Sequence, residues 1–298
     1  MTEQMTVFNR QAVRQHRDRA ANVLGEHDFL FRETAERLAD RVDDVTRNFP
    51  TTLDLGCHGG ELSGALIGHK RIERIIQCDL SPAMAQLAKS VNQRETLIAD
   101  EEALPFAESQ FDLVLSNLSL HWVNDLPGCF RQIQQSLKPD GLFLATMLGG
   151  ETLRELRHAL NAAEIEIEDG MSARLSPFAD LKDVGNLLTR AGFTLPVADK
   201  EVITVSYPDA FKLMSDLRGM GENNANVLRR KCFSRRATLM RAAEICHQEF
   251  ADENGRIPVT FEVLYLTAWA PHESQPKPLK PGSATSRLVD FFKGPGSE

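Results

Sequence analysis

Between residues 51 and 146, short apolar runs alternate with amphipathic ones. The runs TTLDLG, RIIQCD, TLIAD, FDLVLSN and GLFLATML are nearly continuous in apolar and β-branched residues, as strands buried on both faces are. The segments between them carry helical spacing, starting near Glu61, at Ser81-Pro82 and around Gly128 to Leu137. Ser81 followed by Pro82 is a helix start: the hydroxyl caps free N–H groups, and the fixed φ of proline suits the first turn. Lys138-Pro139-Asp140-Gly141 predicts a turn ahead of the next strand. This alternation predicts an α/β fold, a mainly parallel sheet with helices on both faces.

The flanks extend the pattern. From Phe8 to about Asn48 the spacing is helical, with Phe29, Leu30, Ala35, Leu38 and Val42 as the apolar stripe, ending at Asn48-Phe49-Pro50. After Gly149 come a helix over GGETLRELRHALNAAEIE and a second from about Phe178 to Ala191, closed by Gly192. A strand over VADKEVITVSY and a last one over VTFEVLYLTAWA bracket a polar, basic helical stretch from Pro208 to Phe250. The two strands are expected to pair antiparallel, which makes seven strands with a helical insertion before the last. The predicted division is an N-terminal helical segment (1–50), a core (51–207), the insertion (208–250), a final core strand (251–270) and a flexible tail (271–298) too poor in apolar surface to fold. No internal repeat is visible.

The 298 residues are 42% hydrophobic, enough for a full core. A net charge of -8 disfavours a general grip on nucleic acid. Five cysteines, odd in number and without a C-x-x-C pair, indicate neither a disulfide framework nor a zinc knuckle, and fit a reducing compartment. No apolar run approaches the roughly 20 residues that cross a bilayer. The arginine-rich start carries Glu3 and Asp18, unlike an acid-poor presequence.

Chemistry gathers where the strands end. LDLGCHGGEL, Leu53 to Leu62, runs a strand into a glycine turn and a helix, whose N–H groups can receive an anionic group. Asp79 ends the second strand about 20 residues on, where a carboxylate can accept from both ribose hydroxyls. Asp100, with Glu101 and Glu102, ends the third, and Ser116-Asn117 end the fourth. Polar groups at four successive strand ends suit a nucleoside with a charged appendage lying in the crevice of an open sheet. Neither G-x-G-x-x-G nor G-x-x-x-x-G-K-[ST] is matched.

LDLGCHGGEL, QCDLS, ADEEALPF, FDLVLSNLSLHWV and LKPDGLF, in this order and spacing, resemble the signature segments of class I S-adenosylmethionine-dependent methyltransferases, over roughly Thr51 to Thr146. The resemblance implies the Rossmann-like fold of that family and S-adenosylmethionine as cofactor. It also implies that Asp54, Gly56 and Gly60 hold the methionine part, Asp79 the ribose, and Asp100 and Glu101 the adenine side, with Ser116 and Asn117 as floor and Cys57, His58 and Leu80 alongside. His58 departs from the family's G-x-G-x-G: it replaces the middle glycine, where its Cβ must crowd the cofactor or take a positive φ.

Over nearly the whole chain, FNRQAVRQHRDRAA, LSLHWVNDLP, MLGGETLRELR, LMSDLRGMGENNA and HESQ…GSAT resemble the methyltransferase-like assembly factors of respiratory complex I. That family is described as hydroxylating an arginine of a complex I subunit. The resemblance implies a protein substrate and a bacterial relative in the cytoplasm, or in the mitochondrial matrix if eukaryotic. The biotin-pathway methyltransferases acting on a malonyl thioester carrier protein are similar in the first half and near Leu217 to Gly221. A cofactor-binding assembly chaperone without catalysis is the third reading.

Other features are plainer. His121 and Trp122, after the fourth strand, are the candidate catalytic residues. His121 with Asp125 or His58 lacks any recognised metal spacing, so no metal is expected. The run RRKCFSRR reads as a solvated helix face. Arg10, Arg14 and Arg17 share one helical face, expected in solvent, and Cys57 is expected as a small buried filler.

Overall fold

The computed structural model describes residues 6–276. The chain opens with helices α1 (Arg10–Ala20) and α2 (Phe29–Asp43), followed by β1 (Phe49–Leu55), α3 (Glu61–Ala65), β2 (Ile72–Asp79), α4 (Pro82–Asn92), β3 (Glu95–Ile98) and β4 (Phe111–Asn117). Then come α5 (Leu126–Ser136), β5 (Leu137–Leu148), α6 (Arg154–Glu168), α7 (Leu181–Arg190), β6 (Thr194–Tyr207), α8 (Ala210–Met220), α9 (Arg236–Phe250) and β7 (Ile257–Trp269). The seven strands form one sheet in the order β3-β2-β1-β4-β5-β7-β6. The first five are parallel, and β7 runs antiparallel to both β5 and β6. The mainly parallel sheet and the antiparallel last pair thus match the sequence pattern.

Both faces of the central strands are covered, which is why β1, β4 and β5 lack polar alternation, whereas the edge strands β3 and β6 are largely exposed. Leu113, Leu115, Leu142 and Leu144 pack with Ala35, Leu38 and Val42 of α2 on one face. Their neighbours Val114, Phe143 and Ala145 pack with Phe130 and Ile133 of α5 and Val184 and Leu188 of α7 on the other. A third cluster joins Leu24 and Leu30, Leu156 and Leu160 of α6, Leu213 and Leu217 of α8, and Val259 to Tyr265 of β7. The N-terminal helices and the 208–250 segment therefore share one core with the last strand. The order in which successive strands are added reverses between the parallel neighbours β1 and β4, and the crevice beyond the carboxyl ends of these strands is where ligands of open α/β sheets bind.

Several boundaries differ from expectation. The N-terminal helix is broken after Ala20 by a 3₁₀ turn at Leu24–Glu26, and it stops at Asp43, so that Phe49 and Pro50 begin β1. Proline is tolerated at a strand start. The 208–250 stretch is helical only at its ends: Gly221, φ 83°, closes α8, and the side chains of Asn224 and Asn226 then hold turns by accepting from Asn226 N and Leu228 N. RRKCFSRR accordingly lies in this connection, with only Arg236 inside α9. Strand β5 runs straight through Lys138–Gly141, with Asp140 at φ 63°. Of the predicted tail, residues 277–298 lie outside the described residues. Gln275 is tied to Asp140 and to the Ala270 carbonyl at 2.8 Å each.

Candidate functional site

The turn after β1 is built from backbone that side chains would obstruct. Gly56 N and Cys57 N both donate to the Cys78 carbonyl, at 2.8 and 2.9 Å, binding the turn to the end of β2. Gly56 sits at φ 70°, and a Cβ there would lie 2.1 Å from Ser119 Oγ. Gly60, φ 93°, opens α3, and a Cβ would meet Asn92 Nδ2 at 2.2 Å. His58 takes the positive φ that its position demands, 48°. Its ring stacks on Phe31 with centroids 4.3 Å apart, and Nε2 lies 3.1 Å from the Leu118 carbonyl. Burial, and then the charge of Arg17, lower its pKa to about 4, while Nδ1 is buried without a partner. Beneath the turn, Asp54 accepts from Ser63 Oγ at 2.6 Å and leaves Oδ1 unpartnered. Burial drives its carboxyl up to about 6, against the pull of the Ser63 bond. Cys57 is buried, as expected, and burial pushes its thiol well up, away from reactivity.

The strand-end carboxylates converge on two arginines of α1. Arg17 is 1% exposed, and Asp79 and Glu101 are both fully buried. Arg17 Nη1 lies 3.3 Å from Asp79 Oδ2 and 3.3 Å from Glu101 Oε1, while Nη2 donates to Ser119 Oγ at 2.9 Å. Ser119 in turn donates to Glu101 at 2.7 Å. Asp79 also accepts from His58 N at 3.1 Å and Ser81 N at 2.8 Å. Arg10 bridges Asp100, at 2.6 Å, and Glu101, and donates to the Trp122 carbonyl at 3.1 Å. Burial pushes Glu101 up, but the charges of Arg10 and Arg17 outweigh it and hold the pKa at about 2. The expectation that Arg10, Arg14 and Arg17 face solvent thus holds only for half-exposed Arg14. Ionised carboxylates buried at the sheet edge need cations beside them, and α1 supplies two.

A second group stands at the lip. His121 Nε2 lies 2.9 Å from Glu222 Oε2, and Trp122 Nε1 donates to the same carboxylate at 3.1 Å. All three side chains are buried. Burial raises the pKa of Glu222, yet His121 beside it holds it below the ordinary carboxylate range. Phe8 packs edge-on against Trp122 at 5.4 Å, with Leu80 against the same cluster, which anchors the start of α1 over the lip.

Ser116 and Asn117 are buried with inward bonds: Ser116 Oγ donates to the Leu55 carbonyl, Asn117 Nδ2 donates to that of Phe31 and Asn117 Oδ1 accepts from Thr146. Asp125 caps α5 through Gly128 N. No group of three or more His, Cys, Asp or Glu among the described residues could hold a metal ion. Arg10, Arg17, Phe31, Ser119 and Glu222 belong to this site and were not assigned to it from sequence. The spacing of Arg10 and Arg17 on one helical face was the available signal for the first two; nothing local marked Glu222. A 460 Å³ hollow nearby shares Gly59 and Gly60 with the turn but is lined by none of Asp54, Asp79, Asp100 or Glu101.

Residues 53–145 match the model of a methyltransferase domain. The mitochondrial arginine-hydroxylase NDUFAF5 of Danio rerio is 44% identical over 97% of this chain and 90% of its own length. The chain belongs to the S-adenosylmethionine-dependent methyltransferase family. A malonyl-[acyl-carrier protein] O-methyltransferase of Methylovorus is 35% identical over 91% of the chain and 92% of the relative. The YcgJ protein of Bacillus subtilis shares the fold, with a TM-score of 0.55 at 14% identity over 79% of this chain and 98% of that one. The cofactor of this methyltransferase-family enzyme is S-adenosylmethionine. The residues fit such a group: at the glycine turn Asp54 Oδ1 and His58 Nδ1 are buried polar atoms left unpartnered. In the conformation described, the Arg17 guanidinium spans the Asp79 oxygens.

Two outcomes follow for the folded enzyme. Arg17→Met leaves Asp79 and Glu101 without their shared cation and should cost about 3 to 5 kcal/mol in urea unfolding, whereas Arg14→Met should stay within about 0.5 kcal/mol. A loss below about 1 kcal/mol at Arg17 would contradict the network.

His58 and Glu101 both have folded pKa values depressed below their ordinary 6.5 and 4.5. The unfolded chain therefore binds more protons, and their stabilisation, present at neutral pH, is lost on acidification. The share of His58 goes between pH 6.5 and about 4, and that of Glu101 between 4.5 and about 2. Asp54, shifted upward, acts in the opposite sense, so single variants are needed to separate them. His58→Asn should flatten the stability profile between pH 6.5 and 4 relative to wild type, by an amount on the order of 3 kcal/mol. Parallel profiles would show that His58 does not titrate differently on folding.

Proposed function

We propose that the enzyme modifies an arginine side chain of a protein subunit of respiratory complex I, with S-adenosylmethionine held at the β1–β4 crevice. Two facts support this reading. The relative covering 97% of the chain at 44% identity is named an arginine-hydroxylase, and the crevice is lined with carboxylates that already hold two guanidinium groups of the chain itself. The first is the observation that carries it; the second adds that the strand ends stabilise positive charge beside the crevice.

In this assignment Asp79 would accept from the ribose hydroxyls, the backbone of Gly56 to Gly60 would hold the methionine part, and Asp100 and Glu101 would lie on the adenine side. The bound cofactor supplies an activated methyl group on a sulfonium. The residues of the chain align and enclose the reactants: Phe8 and Trp122 would close the lip against water, and Glu222 fixes the ring of His121 beside Trp122. Alignment and exclusion of water are the main demands of such a transfer. Asp79 can receive the ribose only by releasing Arg17, so the guanidinium is a competitor of the cofactor.

The assignment gives opposite signs at two partners. By calorimetry, Asp79→Ala should weaken cofactor binding by about 1.5 to 3 kcal/mol, and Arg17→Met should tighten it. His58→Gly should bind the cofactor as well as wild type or better, since glycine takes the positive φ freely. Unchanged affinity in Asp79→Ala would remove Asp79 from the cofactor site.

The substrate is tested by mass spectrometry of complex I subunits from cells lacking this protein. Loss of an oxygen or methyl increment on one arginine is the expected result. Fully modified subunits together with biotin auxotrophy would instead support malonyl carrier-protein O-methylation, the reading favoured by the relative at 35% identity.

A further inference from the structure

A chain of net charge -8 has one strongly basic concavity among its described hollows. It lies between α1, the segment after α6 and the connection after α8, with a volume of 380 Å³, and its lining includes His16, Arg19, Arg174, Arg218, Arg229 and Arg230. Two of these arginines are already balanced. Arg174 Nε donates to Glu164 at 2.6 Å, and Arg230 pairs with Glu168, which also accepts from Thr238 at 2.6 Å.

The other three are not. Arg19 and Arg218 make no ion pair or side-chain hydrogen bond among the described residues, and Arg229 reaches only the Asn226 carbonyl, at 3.0 Å. His16 Nδ1 is buried there without a partner. Burial, and then the charges of Arg19 and Arg229, lower the pKa of His16 to about 4. Glu222, whose charge His16 also feels, is engaged by His121 and Trp122.

Holding like charges together in a concavity costs repulsion, and an acidic chain has spare carboxylates with which to relieve it. The arrangement is economical if an incoming anion supplies the missing charge. Guanidinium forks match carboxylate and phosphate oxygens in pairs, and a concave basic site focuses its field on a small anion.

We infer that this hollow binds an oxyanion of the substrate, a carboxylate or a phosphate, next to the His121–Glu222 lip. The inference rests on the proposed function only for the owner of the anion, an acidic side chain flanking the target or the phosphate of a carrier arm. The binding itself is independent of cofactor and acceptor.

The test titrates the full chain, without cofactor, with sodium malonate and with inorganic phosphate at matched ionic strength, following heat and thermal stability. Saturable binding of at least one anion is expected. The double variant Arg19→Gln/Arg218→Gln should lose about tenfold or more in affinity, the scale of one charged hydrogen bond. Both residues are exposed and unpaired, so the variant keeps its fold. Lys231→Gln/Arg235→Gln, on the same connection but outside the hollow, should bind within about twofold of wild type. Preference for malonate supports the hollow with a carboxylate-bearing owner, and preference for phosphate supports it with a carrier arm. Absence of saturable binding, or equal loss in both double variants, overturns the inference. Because no methyl or oxygen transfer is read, a failed substrate assignment leaves this result standing, and the reverse also holds.

Discussion

The ion cluster of Arg17 with Asp79 and Glu101 is what the rest of the site depends on. A parallel sheet buried on both faces exposes its chemistry only at strand ends, and here two of the carboxylates at those ends, Asp79 and Glu101, are fully buried. Such groups remain ionised only when cations and donors surround them. Arg17 is one of those cations, Arg10 another, and the backbone N–H groups of His58 and Ser81 complete the shell of Asp79. The helix that carries both arginines is thereby fixed across the crevice, although its sequence is too polar to pack there by apolar contact alone.

That constraint explains the position of several otherwise unrelated groups. Asn9 caps α1 through Ala12 N and sets its first turn. Asn124 Oδ1 accepts from Val7 N and Phe8 N, which brings Phe8 onto Trp122. Ser119 is placed by the close approach at Gly56, where any side chain would displace it. The glycine turn, the helix and the lip are thus one construction: moving α1 uncovers Asp79, frees Ser119 and unpins Trp122 together.

The sheet was legible because its signals are local. Apolar runs of strand length, the Ser81-Pro82 start and Gly192 at a helix end each report on a few neighbouring residues. Asp79, Glu101 and His58 could be placed at the crevice for the same reason, since strand ends and glycine turns are visible in sequence, and the positive φ of His58 followed from its neighbours. The fates of Arg10 and Arg17 were not legible. Their spacing marks a face but not its partner, and the partners lie 62 and 84 residues from Arg17. Glu222 is hidden in the same way, 101 residues from His121. The broken helix over 221–235 was missed because polar composition suits a solvated helix as well as a loop; the Asn224 and Asn226 turns decide it.

The sign of the charge in the crevice links its occupants. The sulfonium of the cofactor is a cation, and the two groups held by the strand-end carboxylates in this conformation are guanidinium groups of the chain itself. Pairing with Arg17 offsets the desolvation of Asp79 and Glu101, and any visitor to Asp79 must displace that guanidinium. A visitor that takes the place of Arg17 must return hydrogen bonds to Asp79, because a carboxylate left unpaired in the interior costs several kcal/mol. The basic hollow on the other side of α1 has the opposite preference. One helix, with Arg17 turned inward and Arg19 turned out, therefore separates a place for cations from a place for anions.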